Sequence, residues 1–541
     1  MPARIEGRAT GAIKVNNVQP SFRLQSAKYE SSGGGTMRTV WYDDVVAATR
    51  YTGPKTAQAA PGPFSARTRL MRRSLLSQAC GAFCFVALAW VAPTGAGDGL
   101  WPAFEVPPGS DTALRAVARP IQPLLAAAQR ASRGRGRSTP TDQSWPQFRG
   151  PKGQGTSLEA KGLPVTWNAT QNVLWRTELP GAGSSSPIVV GDKVFLTSYS
   201  GYRVRGMPLG DMHQLTRHVV CLSASDGRIL WKADLPAALP ESESVREHGY
   251  AASTPACDGQ RLYVFFGKSG VFAFDLEGKQ LWRADVGAQT HGWGSAASPV
   301  LYQDLVLINA CVESESLVAL EARTGRERWR ARGIKESWST PLIVSNSSGR
   351  PELVLPILGK VLGFDPATGT LLWSCNTDIG WYMAPSAVAH EGIVYALGGR
   401  SGVASLAVRT GGRGDVTSTH RLWTSTKGSN VSSPVFHEGH LYWTHDSLGI
   451  ACCAEARTGK IVYEERLPQG GQFYASAVLA EGKLYYVSRA GHTYVLAASP
   501  KYQLLAVNDL SDGSTFDASP AVAGGRLYLR SDRFLYCVGS R

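Results

Sequence analysis

His248, Tyr250, His291, Trp293, Trp338, Trp381, Asn430 and Asp517 bring imidazoles, aromatic faces, an amide and a carboxylate to similar places in a recurring pattern. With Glu336, Tyr382, Phe473, Tyr474 and Phe516, they stand shortly before a repeated small-Ser-Pro-Val string. If the chain brings these places together, flat rings and histidines from several segments could floor and rim a pocket for a planar ligand. The competing reading is that the same aromatics plug a channel. Glu336, Asp378, Asn430 and Asp517 supply oxygen atoms for a base or a cation site, but they follow no ligand motif. Cys452–Cys453 is the one adjacent cysteine pair. Cys453 shares its register with Cys221, Ala319 and Gly363, so a small buried strand residue is the ordinary reading of that position.

The elements that must position these residues are repeats. One piece reads small-Ser-Pro-Val, then a glycine turn, then Leu-Tyr or Val-Tyr, as in Ser433-Pro434-Val435 through Gly439 to Tyr442. The positions equivalent to the proline are Pro187, Pro255, Pro299, Pro341, Ala387, Pro434, Ala477 and Pro520. This spacing of strand, tight turn and strand predicts a hairpin. A second piece is an apolar strand, a Thr-Gly or Asp-Gly turn and an aromatic strand. Its aligned aromatics are Trp175, Trp231, Trp282, Trp329, Trp373 and Trp423, with Tyr463 and Ala506 in the last two units. Four strands per unit predict an all-β, eight-bladed β-propeller, with the six tryptophans docking blade against blade. The units are offset at the ends of the chain. The outer strand that opens with Asn172-Val173-Leu174-Trp175 should therefore pair onto the last blade and close the ring.

The string from Gly363-Phe364-Asp365 through Thr368-Gly369 to Trp373 resembles the pyrroloquinoline-quinone (PQQ) repeat family. That family includes quinoprotein alcohol dehydrogenases and BamB-type outer-membrane assembly lipoproteins. Trp145-Pro146-Gln147-Phe148-Arg149-Gly150, His248-Gly249-Tyr250, His291-Gly292-Trp293-Gly294 and Leu535-Tyr536-Cys537-Val538-Gly539 resemble secreted PQQ-like propellers of planctomycete-type bacteria. The resemblance covers about residues 144–541. It speaks for the fold; this superfold carries both enzymes and scaffolds.

Ahead of the repeats, Met71-Arg72-Arg73, an apolar stretch and Thr94-Gly95-Ala96 predict a signal peptide or an anchor over residues 71–97. Residues 1–70 read as a disordered or mis-annotated leader, and residues 98–143 as a flexible linker. Residues 1–145 hold 18 Lys/Arg against 8 Asp/Glu, so the basic excess sits mainly in the leader and no nucleic-acid partner is expected. The sequence has no G-x-S-x-G, no H-E-x-x-H, no phosphate loop and no C-x-x-C-H. Arg413-Gly414-Asp415 is too short a match to an integrin-binding tripeptide to carry a function.

Two functions stay open on the sequence. One is a non-catalytic, monomeric binding or scaffold propeller of the periplasm or cell envelope, taking a protein or peptide partner at the channel mouth. In that reading a membrane is met only through an uncleaved N-terminal anchor. The other is a PQQ-dependent oxidoreductase acting on an alcohol or sugar, with PQQ and Ca²⁺ held at the mouth.

Overall fold

A computed structural model describes residues 6–7, 13–14, 144–246 and 248–540. Glu6–Gly7 pairs with Ile13–Lys14. The signal segment 71–97 and the linker 98–143 lie outside the described residues.

Residues 144–540 build eight antiparallel blades around a central channel. The proline-equivalent position marks each blade's inner edge. The innermost strands begin one residue after it, at Ile188, Ala256, Val300, Leu342, Val388, Val435, Val478 and Ala521. Proline suits this place because its missing N–H is asked for by no ladder. Blade 1 has three strands of eight residues, Lys193–Ser200, Thr216–Ser223 and Ile229–Pro236. They account for part of the longer first interval in the sequence.

The outer strands follow one register. Each aromatic faces a small residue on the third strand, and a β-bulge follows at once. The pairs include Cys221 with Trp231, Ala273 with Trp282, Ala319 with Trp329 and Gly363 with Trp373. Ala407 with Trp423 and Cys537 with Trp175 complete the six. The slot is small because an indole lies flat across it. A Cβ on Gly363 would come within 2.1 Å of Trp373.

The next blade supplies the other wall. The turn glycines Gly227, Gly278, Gly325, Gly369 and Gly459 all have positive φ. A Cβ on any of them would lie 2.4–2.8 Å from the indole of Trp175, Trp231, Trp282, Trp329 or Trp423, respectively. Glycine is thus required twice at each turn, by the dihedral and by the ring stacked on it. Four of these indoles also donate Nε1 to a carbonyl of the neighbouring blade, at Ala224, Leu276, Ala322 and Ala456. Five of the six tryptophans thus lie against a turn of the next blade.

The ring closes as the offset predicted. Val173–Glu178 pairs antiparallel with Phe534–Val538 and becomes the outer strand of the last blade. The segment ahead of it adds a second tie on the opposite face from the connections that carry the aromatics. Trp145 bridges Val189 of blade 1, Arg149 bonds the Pro434 carbonyl of blade 6, and Thr156–Ser157 pairs parallel with Leu479–Ala480 of blade 7. Gly414 and Asp415 of the Arg-Gly-Asp tripeptide form a parallel fifth strand on Trp373 and Ser374, at the seam of blades 4 and 5.

Candidate functional site

The channel is lined by one residue type per blade, the Ser or Thr immediately before each proline-equivalent position. Each of these backbone N–H groups donates to the hydroxyl of the next one round the ring. The bonds run from Ser186 to Thr254, Thr254 to Ser298, Ser298 to Thr340 and Thr340 to Ser386, at 2.8–3.0 Å. They continue from Ser386 to Ser433, Ser433 to Ser476, Ser476 to Ser519 and Ser519 back to Ser186, at 2.9–3.1 Å. Innermost N–H groups that no strand can serve are thereby satisfied. The hydroxyl-bearing residue was visible in the repeated string; its role in a closed circle was not.

Above this circle lies a cavity of about 180 Å³. Phe148 forms its floor, and Trp293, Trp338, Tyr382 and Tyr474 contribute ring surface. His248, Arg400, Asn430, Asp446 and Asp517 contribute polar groups. Phe148 also lines a larger cavity of about 760 Å³, between the hairpins of blades 3–5 and residues 147–154. Phe148, Thr340 and Ser386 are thus shared by the linings of the two spaces.

Five of the eight residues singled out in the sequence thus come together: His248, Trp293, Trp338, Asn430 and Asp517. Three stand aside. Tyr250 is buried behind the mouth, edge-on to Tyr199, with its hydroxyl bonded to the Ser242 carbonyl. His291 sits behind the wall, its ring 5.1 Å from that of Trp338. Trp381 is 40% exposed at the rim, under the Arg400 guanidinium. Phe473 and Phe516 are core residues. Arg400, Asp446 and Arg489 were missed because they enter from connections between second and third strands, outside the repeated string.

The aromatic wall is continuous. Tyr382 packs against Trp293 at 5.8 Å and against Trp338 at 5.5 Å. The indole N–H of Trp338 is already taken by the Gly294 carbonyl at 2.7 Å, so this residue offers a face rather than a donor. Asn430 donates Nδ2 to the Tyr382 hydroxyl at 3.0 Å, and its backbone N–H is held by Asp446 at 2.9 Å. Asp517 is bound by Arg489, with Nε 2.7 Å from Oδ1.

These groups do not fit Ca²⁺, which takes six to eight oxygen ligands with several carboxylates among them. Asp517 is engaged by a guanidinium, and Asp446 by a backbone N–H. Glu336 lies exposed outside the cavity, and Asp378 pairs with Arg421 at 2.5 Å. Among the described residues no group of three or more His, Cys, Asp or Glu is placed to hold a metal ion. The adjacent thiols are likewise separated. Cys452 and Cys453 belong to clusters on opposite faces of blade 6, and burial pushes both up to about 12.

A further polar chain lies off the axis in blade 1. His218 Nδ1 is 2.6 Å from Asp234, and its Nε2 is 2.9 Å from the Ser200 hydroxyl. Burial lowers the histidine's pKa, against the opposing pull of Asp234. The order is that of an activated serine. Here the aspartate is half exposed and also holds Lys232 at 2.9 Å, and Ser200 lines neither cavity.

The family model described as outer membrane protein assembly factor BamB, built on PQQ-like repeats, matches residues 210–346 and 310–504. The chain belongs to this family. Among curated proteins, this PQQ-repeat propeller is similar to a tetrathionate hydrolase of Acidithiobacillus ferrooxidans. The two are 22% identical over 58% of this chain and 65% of that protein. It is also similar to a polyvinylalcohol dehydrogenase of a Pseudomonas species, 26% identical over 29% of this chain and 24% of the relative. The matches thus span less than two thirds of either relative's length. Among solved structures, a europium-containing methanol dehydrogenase superposes with a TM-score of 0.52 at 12% identity, over 74% of this chain and 98% of that one. That likeness shows the fold.

Proposed function

We propose that this propeller is a non-catalytic binding protein of the bacterial periplasm or cell envelope, which takes a segment of a protein partner at its channel mouth. The observation that carries the reading is the cavity of about 180 Å³ lined by Trp293, Trp338 and Tyr382. It is smaller than the roughly 300–1,000 Å³ of sites that enclose a whole small molecule. Its scale suits one large side chain presented by a peptide. The family's description as an outer membrane assembly factor supports an envelope partner. The oxidoreductase alternative needs a quinone and a divalent cation where the mouth carboxylates are already engaged.

A photo-crosslinking residue at Trp381, on the exposed rim, tests the proposal in intact cells. The expected result is one discrete adduct with an envelope protein, lost when Trp338 and Tyr382 are both changed to Ala. In parallel, PQQ is titrated into the full-length protein by calorimetry, with and without Ca²⁺. Stoichiometric quinone binding with substrate-dependent dye reduction would overturn the proposal.

A further inference from the structure

We propose that the segment recognised at the mouth is acidic and aromatic: one large apolar or aromatic side chain enters the cavity, and a carboxylate beside it meets Arg400. This rests on the reading of the mouth as a peptide site, and it names the chemistry of the peptide.

Three independent features point the same way. The first is Asn430, which is 3% exposed and lines the cavity. Its Nδ2 is spent on Tyr382, and its Oδ1 has no partner among the described residues. A buried amide oxygen left without a donor costs on the order of 1–3 kcal/mol, so the position calls for a hydrogen-bonding ligand. An extended peptide backbone brings both N–H and C=O groups, and so serves the amide in either orientation. The second feature is the wall. The Trp338 N–H is occupied by Gly294 and the Tyr382 hydroxyl faces Asn430. What these two residues leave for a ligand is ring surface, which suits an apolar or aromatic side chain.

The third feature is charge. The guanidinium of Arg400 lies 5.5 Å over the ring of Trp381, and that of Arg246 lies 4.8 Å over Trp293. Neither has a carboxylate partner among the described residues. Stacking on a ring fixes the plane of a guanidinium and leaves its donor edge available for a two-pronged bond to a carboxylate. Of the two carboxylates on the cavity, Asp517 is paired with Arg489, and Asp446 accepts from the Asn430 N–H. The two cations without a carboxylate partner both lie over aromatic rings at the mouth, Trp381 and Trp293, so ring and carboxylate must be close together on the ligand.

A displayed library of random peptides is panned against the full-length protein. The expected consensus places Asp or Glu within two positions of Trp, Phe, Tyr or Leu. A selected peptide and its Asn or Gln analogue are then titrated into wild type and Arg400→Ala by calorimetry. Wild type should prefer the acidic peptide at least tenfold, and R400A should bind the two forms within twofold of each other. Amidating the C-terminus separates a terminal carboxylate from a side-chain one. A neutral or basic consensus, bound equally by R400A but weakened by Trp338→Ala, overturns the inference and leaves the peptide site standing. Failure to select any peptide, or binding indifferent to Trp338→Ala and Tyr382→Ala, overturns both. Binding of uronic-acid oligosaccharides in place of peptides also overturns the inference.

Discussion

Trp373 donates its indole N–H to Glu352 Oε2 at 2.7 Å, and this bond departs from the rule of the ring. Four of the other docking indoles bond a carbonyl of the next blade; here the indole bonds a carboxylate of its own blade. Glu352 is 1% exposed and also accepts from Gly411 N of blade 5 at 3.2 Å and from Asn346 Nδ2 at 2.9 Å. The carboxylate thus gathers three N–H donors, one of which, Gly411 N, comes from across the blade 4–5 seam.

Glu352→Gln should therefore be costly although it conserves shape. An amide has one oxygen to serve donors that arrive at both ends, and its NH₂ would face N–H groups. A loss of about 2 kcal/mol or more is expected, from the cost of leaving buried donors unserved. Chemical denaturation of the variant measures it. A change within about 0.5 kcal/mol, the ordinary range for surface substitutions, would contradict the seam role.

Two glycines with the same dihedral separate backbone strain from packing. Gly369 and Gly359 both have φ of +72°. A Cβ on Gly359 meets nothing within 4 Å, whereas one on Gly369 would lie 2.4 Å from Trp329. Gly359→Ala should cost about 1–2 kcal/mol for the left-handed conformation alone. Gly369→Ala should cost at least twice as much, because the indole must move off its blade. Equal shifts in melting temperature would show that the stack does not bear on stability.

The circle of hydroxyls predicts a pattern that ordinary core packing does not. Ser298→Ala removes the acceptor of the Thr254 N–H and should cost about 1–3 kcal/mol. Ser298→Thr keeps the acceptor, as Thr254 and Thr340 already do in their places, and should stay within about 1 kcal/mol of wild type. Denaturant midpoints of the two variants decide between an acceptor requirement and a volume requirement.

Glu313 gives a pH signature. Burial raises its carboxyl to about 7, against an opposing hydrogen bond from Ser295. Because the folded value lies above the unfolded one, the folded state holds the proton more tightly. The stability it confers is complete below about pH 4.5 and is lost as pH rises through 7, by roughly 3 kcal/mol in all. Glu313→Gln should leave stability near pH 4.5 almost unchanged and raise it at pH 8. Parallel denaturation curves for both proteins across pH 4–9 would contradict this assignment.

The fold was legible because its constraints recur with a fixed period. Pro187 predicts the strand at Ile188 for the same reason that Pro520 predicts the one at Ala521. Trp231 and Trp423 occupy one slot because both face a small residue across the same bulge. The mouth was legible only in part, because the connections that build it have unequal lengths and obey no register. His248, Trp293 and Trp338 reach the cavity. Tyr250, two residues from His248, turns into the packing of blades 1 and 2, and Trp381 turns outward while its neighbour Tyr382 turns in. Arg400, Asp446 and Arg489 carried no periodic signal, since each belongs to a connection that only its own blade shares.

The outer strand Val173–Glu178 and its partner Phe534–Val538 lie at opposite ends of the repeat region. A chain made from its N-terminus must therefore keep the first of these strands idle until Phe534–Val538 has been made. Until then the growing protein is an open arc with an unfilled edge at each end. Loss of Phe534–Val538 would leave not a slightly shorter propeller but one that cannot shut.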